Sequence, residues 1–579
     1  MLDFGPPDAG DLGGADAGSP DQGAPDAGPD MPDLGAPDAG LFPALPEAHP
    51  GLPDHRSAVN GRFATRESCQ VCHVSDGVAL TDQAGRDVSM STLWRASMMS
   101  FSGRDPYFLA ALSHEIAVQP EAETLIASTC TRCHAPAGHE TLRPSGAHLD
   151  LEALTGSVET EALLGREGVT CTVCHQIDPE NLGTDESFSG GWRIGGARTI
   201  YGPFEDPVGR DMQLTSGYTP VFGPHMRDSA QCATCHTLFT RALDEAGAPT
   251  GPTFPEQVPY LEWRNSSYQN ERGAGPLAAS CQTCHVPQVD EDGMPIEAPL
   301  SVRPAGLASR TPIGRHVFVG ANAYMLELIA DQWSWVGTPV APEEIRDRAE
   351  LTRTNLRSAA ELRAAPRRDR NAMVVEVKVA NLTGHKLPTA YPSRRVWVRL
   401  EVLDAEGEVL WASGRTDARG ALVDGMGRRL DAPGADLRDE VLPHLDLITR
   451  EDQVQVYEAR MGDAAGRPTR VLLEATQYLK DDRILPAGWV ADGPEAEWTA
   501  PVGVAEDADF VAGGDALTYR FPWPDGAARV RVALLYQSVP PGAVEGLRDR
   551  PTPLTAAFVA FTEERPATPE ILAEVDVEL

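Results

Sequence analysis

The sequence lacks any apolar run that approaches the roughly 20 residues of a membrane-spanning helix, and we expect a chain that is soluble or held at a surface by something outside it. Positive charge is also scarce: 49 Lys and Arg residues stand against 85 Asp and Glu residues, a formal net charge of −36. Nucleic acids and anionic lipid surfaces are themselves negative, so this balance argues against binding either.

No cysteine lies outside a Cys-x-x-Cys-His pentapeptide. Five copies of this motif start at Cys69, Cys130, Cys171, Cys232 and Cys281, with second cysteines at Cys72, Cys133, Cys174, Cys235 and Cys284. Two cysteines at this spacing reach the two vinyl groups of one porphyrin, and the next histidine falls beneath the iron. The sequence therefore predicts five covalently bound haem c groups, with proximal ligands His73, His134, His175, His236 and His285.

Other uses of paired cysteines fit less well. Zinc ribbons need two such motifs for four ligands, and five motifs cannot pair evenly. Thioredoxin-like dithiols usually occur once, in a βαβ unit, and structural disulfides would not repeat a single pentapeptide with no cysteine left over. Covalent haem is the interpretation that uses every cysteine and the histidine that follows it.

Sixth iron ligands must come from the remaining histidines. His225 and His316 lie in glycine-bounded loops away from any apolar periodicity, and His385 lies in a loop between a strand-like run and a proline-bounded turn. We predict these three as distal ligands, with a structural hydrogen bond as the alternative for His385. The other candidates are His114, His139 and His148.

Two methionines and three further histidines are weaker candidates for axial ligands. Met98 and Met99 are candidate axial ligands of a higher-potential haem, although such methionines more often fill gaps against aromatic rings. His49, His55 and His444 border polar segments, and we expect them at the solvated surface.

Composition divides the chain into four parts and predicts an α+β multidomain fold. Residues 1–55 repeat PDAG and form an expected disordered tether. Residues 56–335 carry all five motifs in a loop- and helix-rich haem domain with little regular structure, where porphyrins must replace an ordinary core. Residues 336–368 contain an expected connecting helix over 343–365, and period-two patterns in 369–579 predict an antiparallel β-sandwich.

Several blocks resemble a family of bacterial multihaem c-type cytochromes. They include WRASMMSFSGRDPYFLAAL, EGVTCTVCH, GRHVFVGAN and NLTGHKLPTAYPSRRVWV, and the likeness spans about residues 60 to 540. The resemblance implies a periplasmic or outer-surface electron carrier that exchanges electrons with other cytochromes, and it supports His225, His316 and His385 as ligands. In this family the fifth motif is commonly followed by methionine, whereas Val286 stands here.

Two further hypotheses stay open. One is a multihaem oxidoreductase in which an iron without a sixth protein ligand acts on a small nitrogen or sulfur oxyanion. The other is a homo-oligomer, such as a surface filament, in which two copies share a ligand. Haem attachment to this motif takes place outside the cytoplasm, so we expect an export signal upstream of Met1. A lipid-modified end in the same upstream segment is a further expectation, with residues 1–55 as its spacer.

Overall fold

The computed structural model describes residues 42–196, 198–432 and 441–579. Short helices dominate up to residue 357, and long strands dominate after residue 359. The predicted α+β class is confirmed. Most of the predicted tether, residues 1–41, lies outside the described residues.

The described α-helices of the first part are mostly short. They are α1 (Glu67–Gln70), α2 (Met90–Arg95), α3 (Met98–Phe101), α4 (Pro106–Val118), α5 (Glu123–His134), α6 (Pro136–Leu142), α7 (Leu151–Gly156), α8 (Thr160–Arg166), α9 (Cys171–Cys174), α10 (Gly209–Ser216), α11 (Ser229–Ala233), α12 (Pro259–Arg264), α13 (Cys281–His285), α14 (Ala323–Asp331), α15 (Trp333–Val336) and α16 (Pro342–Arg357). Single 3-10 turns cover Pro120–Ala122, Arg143–Ser145 and Pro224–Arg227, and a fourth, Leu472–Glu474, lies in the strand-rich part.

Strands in the first part are few and short: β1 (Thr199–Gly202), β2 (Thr219–Phe222), β3 (Leu238–Thr240) and β4 (Phe254–Gln257). The second part contains β5 (Ala360–Asp369), β6 (Ala372–Asn381), β7 (Arg395–Leu403), β8 (Val409–Ser413), β9 (Arg415–Thr416), β10 (Leu422–Val423), β11 (Leu447–Ile448), β12 (Val456–Gly462), β13 (Pro468–Thr469), β14 (Gln477–Asp481), β15 (Gly514–Pro522), β16 (Arg529–Gln537) and β17 (Glu570–Glu578). It also contains α17 (Ala496–Thr499), α18 (Pro541–Gly546) and α19 (Pro553–Glu564).

Two sheets form the strand-rich part. One has the order β11-β15-β6-β5, and the other has the order β13-β12-β7-β16-β17, with β14 on β12 and β8 on β7. Their pairings are antiparallel except for the short parallel pair of β11 with β15. Alternate apolar residues of both sheets, such as Val375 on β6 and Val398 on β7, belong to one buried cluster. The two sheets therefore share a core.

The predicted helix over 343–365 is wrong in its last third. Helix α16 ends at Arg357, and residues 360–369 form β5, which pairs with β6 along its whole length. Leu362 fits both the helical and the strand pattern of apolar residues, since it is buried on the strand as it would be on the helix. Ten residues of pairing with β6 outweigh a weak local helical pattern.

The period-two pattern of residues 469–479, part of the predicted β-sandwich, does not form one continuous strand. Between β13 and β14 the chain makes the 3-10 turn Leu472–Glu474. The backbone N–H groups of Leu472 and Leu473 donate to the carboxylate of Glu115 on α4. A contact with the helical part thus replaces sheet pairing, which the local sequence could not reveal.

The end of the predicted tether packs against the folded part. The backbone N–H of His49 donates to Pro553, that of Leu52 to Trp335 and that of His55 to Gly337. His55 also pairs with Glu67 and Glu167. The expectation that His49 and His55 are solvated surface residues is therefore wrong.

Among the described residues no helix combines the length and the apolar composition that a bilayer crossing needs.

His444, also expected at the solvated surface, is enclosed instead. Its Nδ1 lies 2.9 Å from Asp482 and its Nε2 lies 2.9 Å from Asp507, with its side chain only 5% exposed. Burial opposes the charged ring, but the hydrogen bonds and charges of these carboxylates outweigh it and raise the pKa of His444 to about 9. The ring is a buried imidazolium that joins two segments of the strand-rich part.

This pair of contacts predicts a pH-dependent stability. Because the pKa of His444 is about 9 in the folded protein and 6.5 when unperturbed, its contribution is complete below about pH 6.5 and is lost as the pH rises through 9. We expect His444→Gln to lower the free energy of unfolding by about 1–3 kcal/mol at pH 6 and by less at pH 10, measured by denaturant unfolding followed by circular dichroism. His49→Gln, which removes a ring whose pKa burial lowers, is the control. Equal losses for His444→Gln at both pH values would contradict the assignment.

Candidate haem sites

Each Cys-x-x-Cys-His motif forms one helical turn. The motifs begin in α1, α5, α9, α11 and α13, and we number the sites 1 to 5 in that order. In site 1 the N–H of His73 donates to the carbonyl of Cys69 at 2.9 Å. Residues three and four apart share a helix face. The turn therefore presents both thiols and the imidazole on one side, as attachment of one porphyrin above a histidine requires.

None of the ten cysteines, all within the described ranges, forms a disulfide. This agrees with the exclusion of a disulfide framework and leaves every thiol for attachment.

Four proximal histidines are oriented by backbone carbonyls. Nδ1–H donates to Leu300 in site 1 at 2.8 Å, to Ser102 in site 2 at 3.3 Å, to Tyr201 in site 3 at 2.7 Å and to Val319 in site 5. A proton on Nδ1 leaves the lone pair on Nε2, the nitrogen that a metal takes in this arrangement. These acceptors could not be identified from the sequence, since every residue has a carbonyl.

Two of the predicted distal histidines face proximal ones. The ring centroids of His175 and His316 lie 6.2 Å apart with planes inclined by 12°. Those of His285 and His385 lie 6.5 Å apart with planes inclined by 16°. Both distal rings repeat the proximal pattern: Nδ1 of His316 donates to Gly314 at 3.0 Å and that of His385 to Lys386 at 2.9 Å.

These separations suit a metal between the rings. Imidazole nitrogen binds first-row metals at about 2 Å, which puts the centroids of two rings on one metal roughly 6 Å apart. Direct ring stacking in this protein is much closer, since Phe108 and His134 have centroids 3.9 Å apart. The residues present at sites 3 and 5 therefore fit an iron with two axial imidazoles.

His225 and His139 each keep one buried nitrogen without a hydrogen-bond partner. His225 uses Nε2 toward the carbonyl of Ile177 at 3.1 Å, which leaves Nδ1 unpartnered. His139 contacts Thr131 through Nδ1 and leaves Nε2 unpartnered. Burial lowers the pKa of both rings, to about 4 for His139. Neither faces a proximal histidine as His316 and His385 do, and their ligand role stays a prediction.

The other candidates have different surroundings. His114 on α4 pairs through Nε2 with Asp549, which engages the nitrogen that an iron would take. His148 is half-buried before α7. Met98 packs against Phe101 and its apolar neighbours, and Met99 is half-buried beside site 2. These contacts do not favour any of the four over His225 and His139.

In the part of the chain that the structure describes, no imidazole faces His73, His134 or His236 in this manner. Burial by neighbouring protein atoms lowers the pKa of His236 to about 4, which favours the neutral ring that a metal needs.

The sites lie side by side. A hydrogen bond from Cys171 lowers the pKa of Cys69 and so joins sites 1 and 3. Equivalent thiol contacts join sites 2 and 4 through Cys133 and Cys235, and sites 4 and 5 through Cys232 and Cys281. Gln231, next to Cys232, donates to the sulfur of Cys174 at 3.2 Å and so joins sites 3 and 4. Site 4 thus contacts three others.

Apolar cores near the motifs are small. The cluster around Val173 has eight buried residues and that around Ala233 has six, whereas the largest cluster described in the strand-rich part has 26. Such small clusters fit a region whose interior is shared with large apolar groups, as the sequence predicted.

Comparison with known proteins gives little further information. No protein-family model matches the chain, and no curated protein matches its sequence. A solved structure, the penta-heme cytochrome c552 from Thermochromatium tepidum, is similar with 17% identity over 90% of this chain and 99% of that chain, at a TM-score of 0.49. Likeness at this level carries no functional assignment.

Site 5 offers a direct test of covalent attachment, because Cys284 is the exposed thiol among the ten. We expect Cys281→Ser with Cys284→Ser to lower the intact mass of the exported protein by one haem and to reduce Soret absorption by about one fifth. Thr283→Ser, between the same cysteines, should keep all five. An unchanged mass in the double variant would contradict attachment at this motif.

Proposed function

We propose that the protein is an exported electron carrier with five covalently bound haem c groups, located in the periplasm or at the outer cell surface. Haem iron supplies one-electron chemistry, while the protein sets its potential through axial ligands, hydrogen bonds and burial. The paired imidazoles carry the proposal: His175 with His316, and His285 with His385. An iron held on both sides by histidine has no open position for a substrate and is suited to electron transfer.

The contacts between motifs support a branched path. Sites 1, 3, 4 and 5 follow one another through neighbouring thiols and Gln231, and site 2 joins at site 4. Haem groups bound to these neighbouring cysteines would be held close to one another, and a short separation favours rapid electron exchange. Site 4 is the junction of this path.

The partner is expected to be another redox protein, such as a cytochrome, with a basic docking surface. The net charge of −36 favours it, within a screening range of about 10 Å at cellular ionic strength. The exposed Cys284 makes site 5 a suitable exit for electrons.

The distal ligands give the sharpest test. His316→Ala and His385→Ala should each convert one iron from low-spin six-coordinate to high-spin five-coordinate, because each removes one of two facing imidazoles. Near-infrared magnetic circular dichroism or resonance Raman spectroscopy counts the two forms.

His49→Ala, at a ring that packs edge-on against Trp335 outside both pairs, is the control and should leave the spectrum unchanged. A low-spin count that does not fall in His316→Ala or His385→Ala would reject the pairing at that site.

A second candidate function is an oxidoreductase that acts at site 2. Phe108 on α4 stacks on His134, while Tyr107 and Glu115 on the same helix line a cavity of about 30 Å³ together with Tyr391. Burial raises the pKa of Glu115 to about 7, so this carboxyl group can exchange a proton near neutral pH. The charge of Glu115 acts on Cys130 of site 2, and an acid–base group near a haem whose proximal histidine has no facing imidazole among the described residues is what such an enzyme would need.

Carbon monoxide separates the two functions. A carrier with six ligands on every iron should bind no carbon monoxide rapidly after reduction. A homo-oligomer whose copies share ligands should bind carbon monoxide only after the copies dissociate. An oxidoreductase should bind one molecule per chain, and His385→Ala should raise that number by one. Flash photolysis of the reduced protein measures both values.

A further inference from the structure

The loop that carries His385 connects β6 to β7, so it belongs to the strand-rich part of the chain. Asn381 and Thr383 hold its backbone, since both donate to the carbonyl of His385 at 2.8 Å. Asn381 also donates to Ile484 at 2.9 Å, which ties the loop to the segment after β14. These bonds fix the loop to its own sheet. They do not fix it relative to site 5.

Helix α12 supplies the second anchor. It lies in the chain between motifs 4 and 5 and carries Glu262, whose side chain is fully buried. One carboxylate oxygen of Glu262 accepts the backbone N–H of Lys386 at 3.0 Å and the hydroxyl of Thr389. Lys386 directly follows His385, so this bond fixes the loop within one residue of the ligand.

Close packing supports the same placement. A Cβ added at Gly384 would lie 3.0 Å from Trp263 and 3.1 Å from Tyr268. The residue before His385 thus rests against α12 and the segment after it, and glycine allows the approach.

A set of buried charges completes the contact. Arg483 lies 3.2 Å from the other oxygen of Glu262 and also donates to Asp481 at 2.7 Å. Asp481 in turn accepts the ammonium of Lys386 at 2.6 Å. The two negative charges of the carboxylates balance the two positive charges of Arg483 and Lys386. All four side chains are at most 5% exposed. Charges buried to this extent are costly and tolerate few geometries, which makes such a set a device for fixing one arrangement.

We propose that Glu262 is the positioning residue that holds His385 opposite His285. The proposal rests on the proposed function, because it presumes that His385 is an axial ligand. Glu262 acts through the backbone of Lys386 and does not touch the iron. Its negative charge also lies near the His385 ring, and a buried anion beside a haem favours the oxidised, more positive iron.

Two substitutions separate position from charge. Glu262→Leu removes the acceptor and should convert one of five irons to the high-spin form. Glu262→Gln keeps an oxygen for Lys386 and Thr389, so the low-spin count should stay as in the parent protein while the midpoint potential of one haem rises. Spectroelectrochemical titration with magnetic circular dichroism reads both effects.

Glu495→Gln is the matched control. Its carboxylate is 2% exposed and anchors the same helix through Arg264 at 2.6 Å, but it does not contact the loop of His385. We expect an unchanged spin state and unchanged potentials. The same spectral change in Glu495→Gln as in Glu262→Leu would overturn the proposal, since it would indicate general loosening of α12.

His385→Ala distinguishes the ligand assignment of His385 from the positioning role of Glu262. If this variant converts one iron and the Glu262 variants leave spin state and potential unchanged, the positioning role is rejected and the ligand stands. If His385→Ala itself changes nothing, the ligand assignment fails and the positioning role fails with it. A Glu262→Leu chain that does not fold leaves Glu262→Asp as the deciding variant, because it keeps the charge but withdraws the acceptor from Lys386 by one methylene: an unchanged low-spin count would reject the proposal.

Discussion

The hydrogen bond from Nδ1–H of histidine to a backbone carbonyl is the interaction on which the haem sites depend. It recurs at four proximal rings and at both facing distal rings. By holding the proton on Nδ1, it leaves Nε2 as the donor to a metal and fixes the plane of the ring. The acceptors of the proximal rings come from other loops, such as Leu300 for His73, so these rings are oriented only when the surrounding loops are folded. The distal rings His316 and His385 use carbonyls of their own loops.

The strand-rich part of the chain contributes side chains directly to the candidate haem region. The loop between β6 and β7 places His385 opposite His285 and Tyr391 beside α4. The two parts of the chain are therefore joined by a pair of facing imidazoles and by a buried set of charges. The sheet core of 26 buried residues gives the loop of His385 a packed base.

Short-range chemistry was predictable from the sequence. Spacing alone identified the five motifs, and alternation predicted antiparallel strands after residue 369, because both patterns act over a few residues. The glycine-bounded loop of His316 and the proline-bounded turn after His385 drew attention to these two residues, and the structure places both opposite proximal rings.

Long-range partners could not be predicted in this way. His444 stands in a polar segment, yet Asp482 and Asp507 enclose it. Residues 360–365 continue a helical pattern, yet β6 draws them into a sheet. Nothing in the sequence around Glu262 indicates that it bonds to Lys386, which lies more than a hundred residues later. In each case the deciding contact comes from a segment remote in the chain.

Locating the irons tests the central claim most directly. An anomalous difference map of crystals of the mature exported protein, recorded at the iron absorption edge, should contain five peaks per chain. Two of them should lie midway between the facing rings of His175 and His316 and of His285 and His385. A map without iron at those two midpoints would contradict the account.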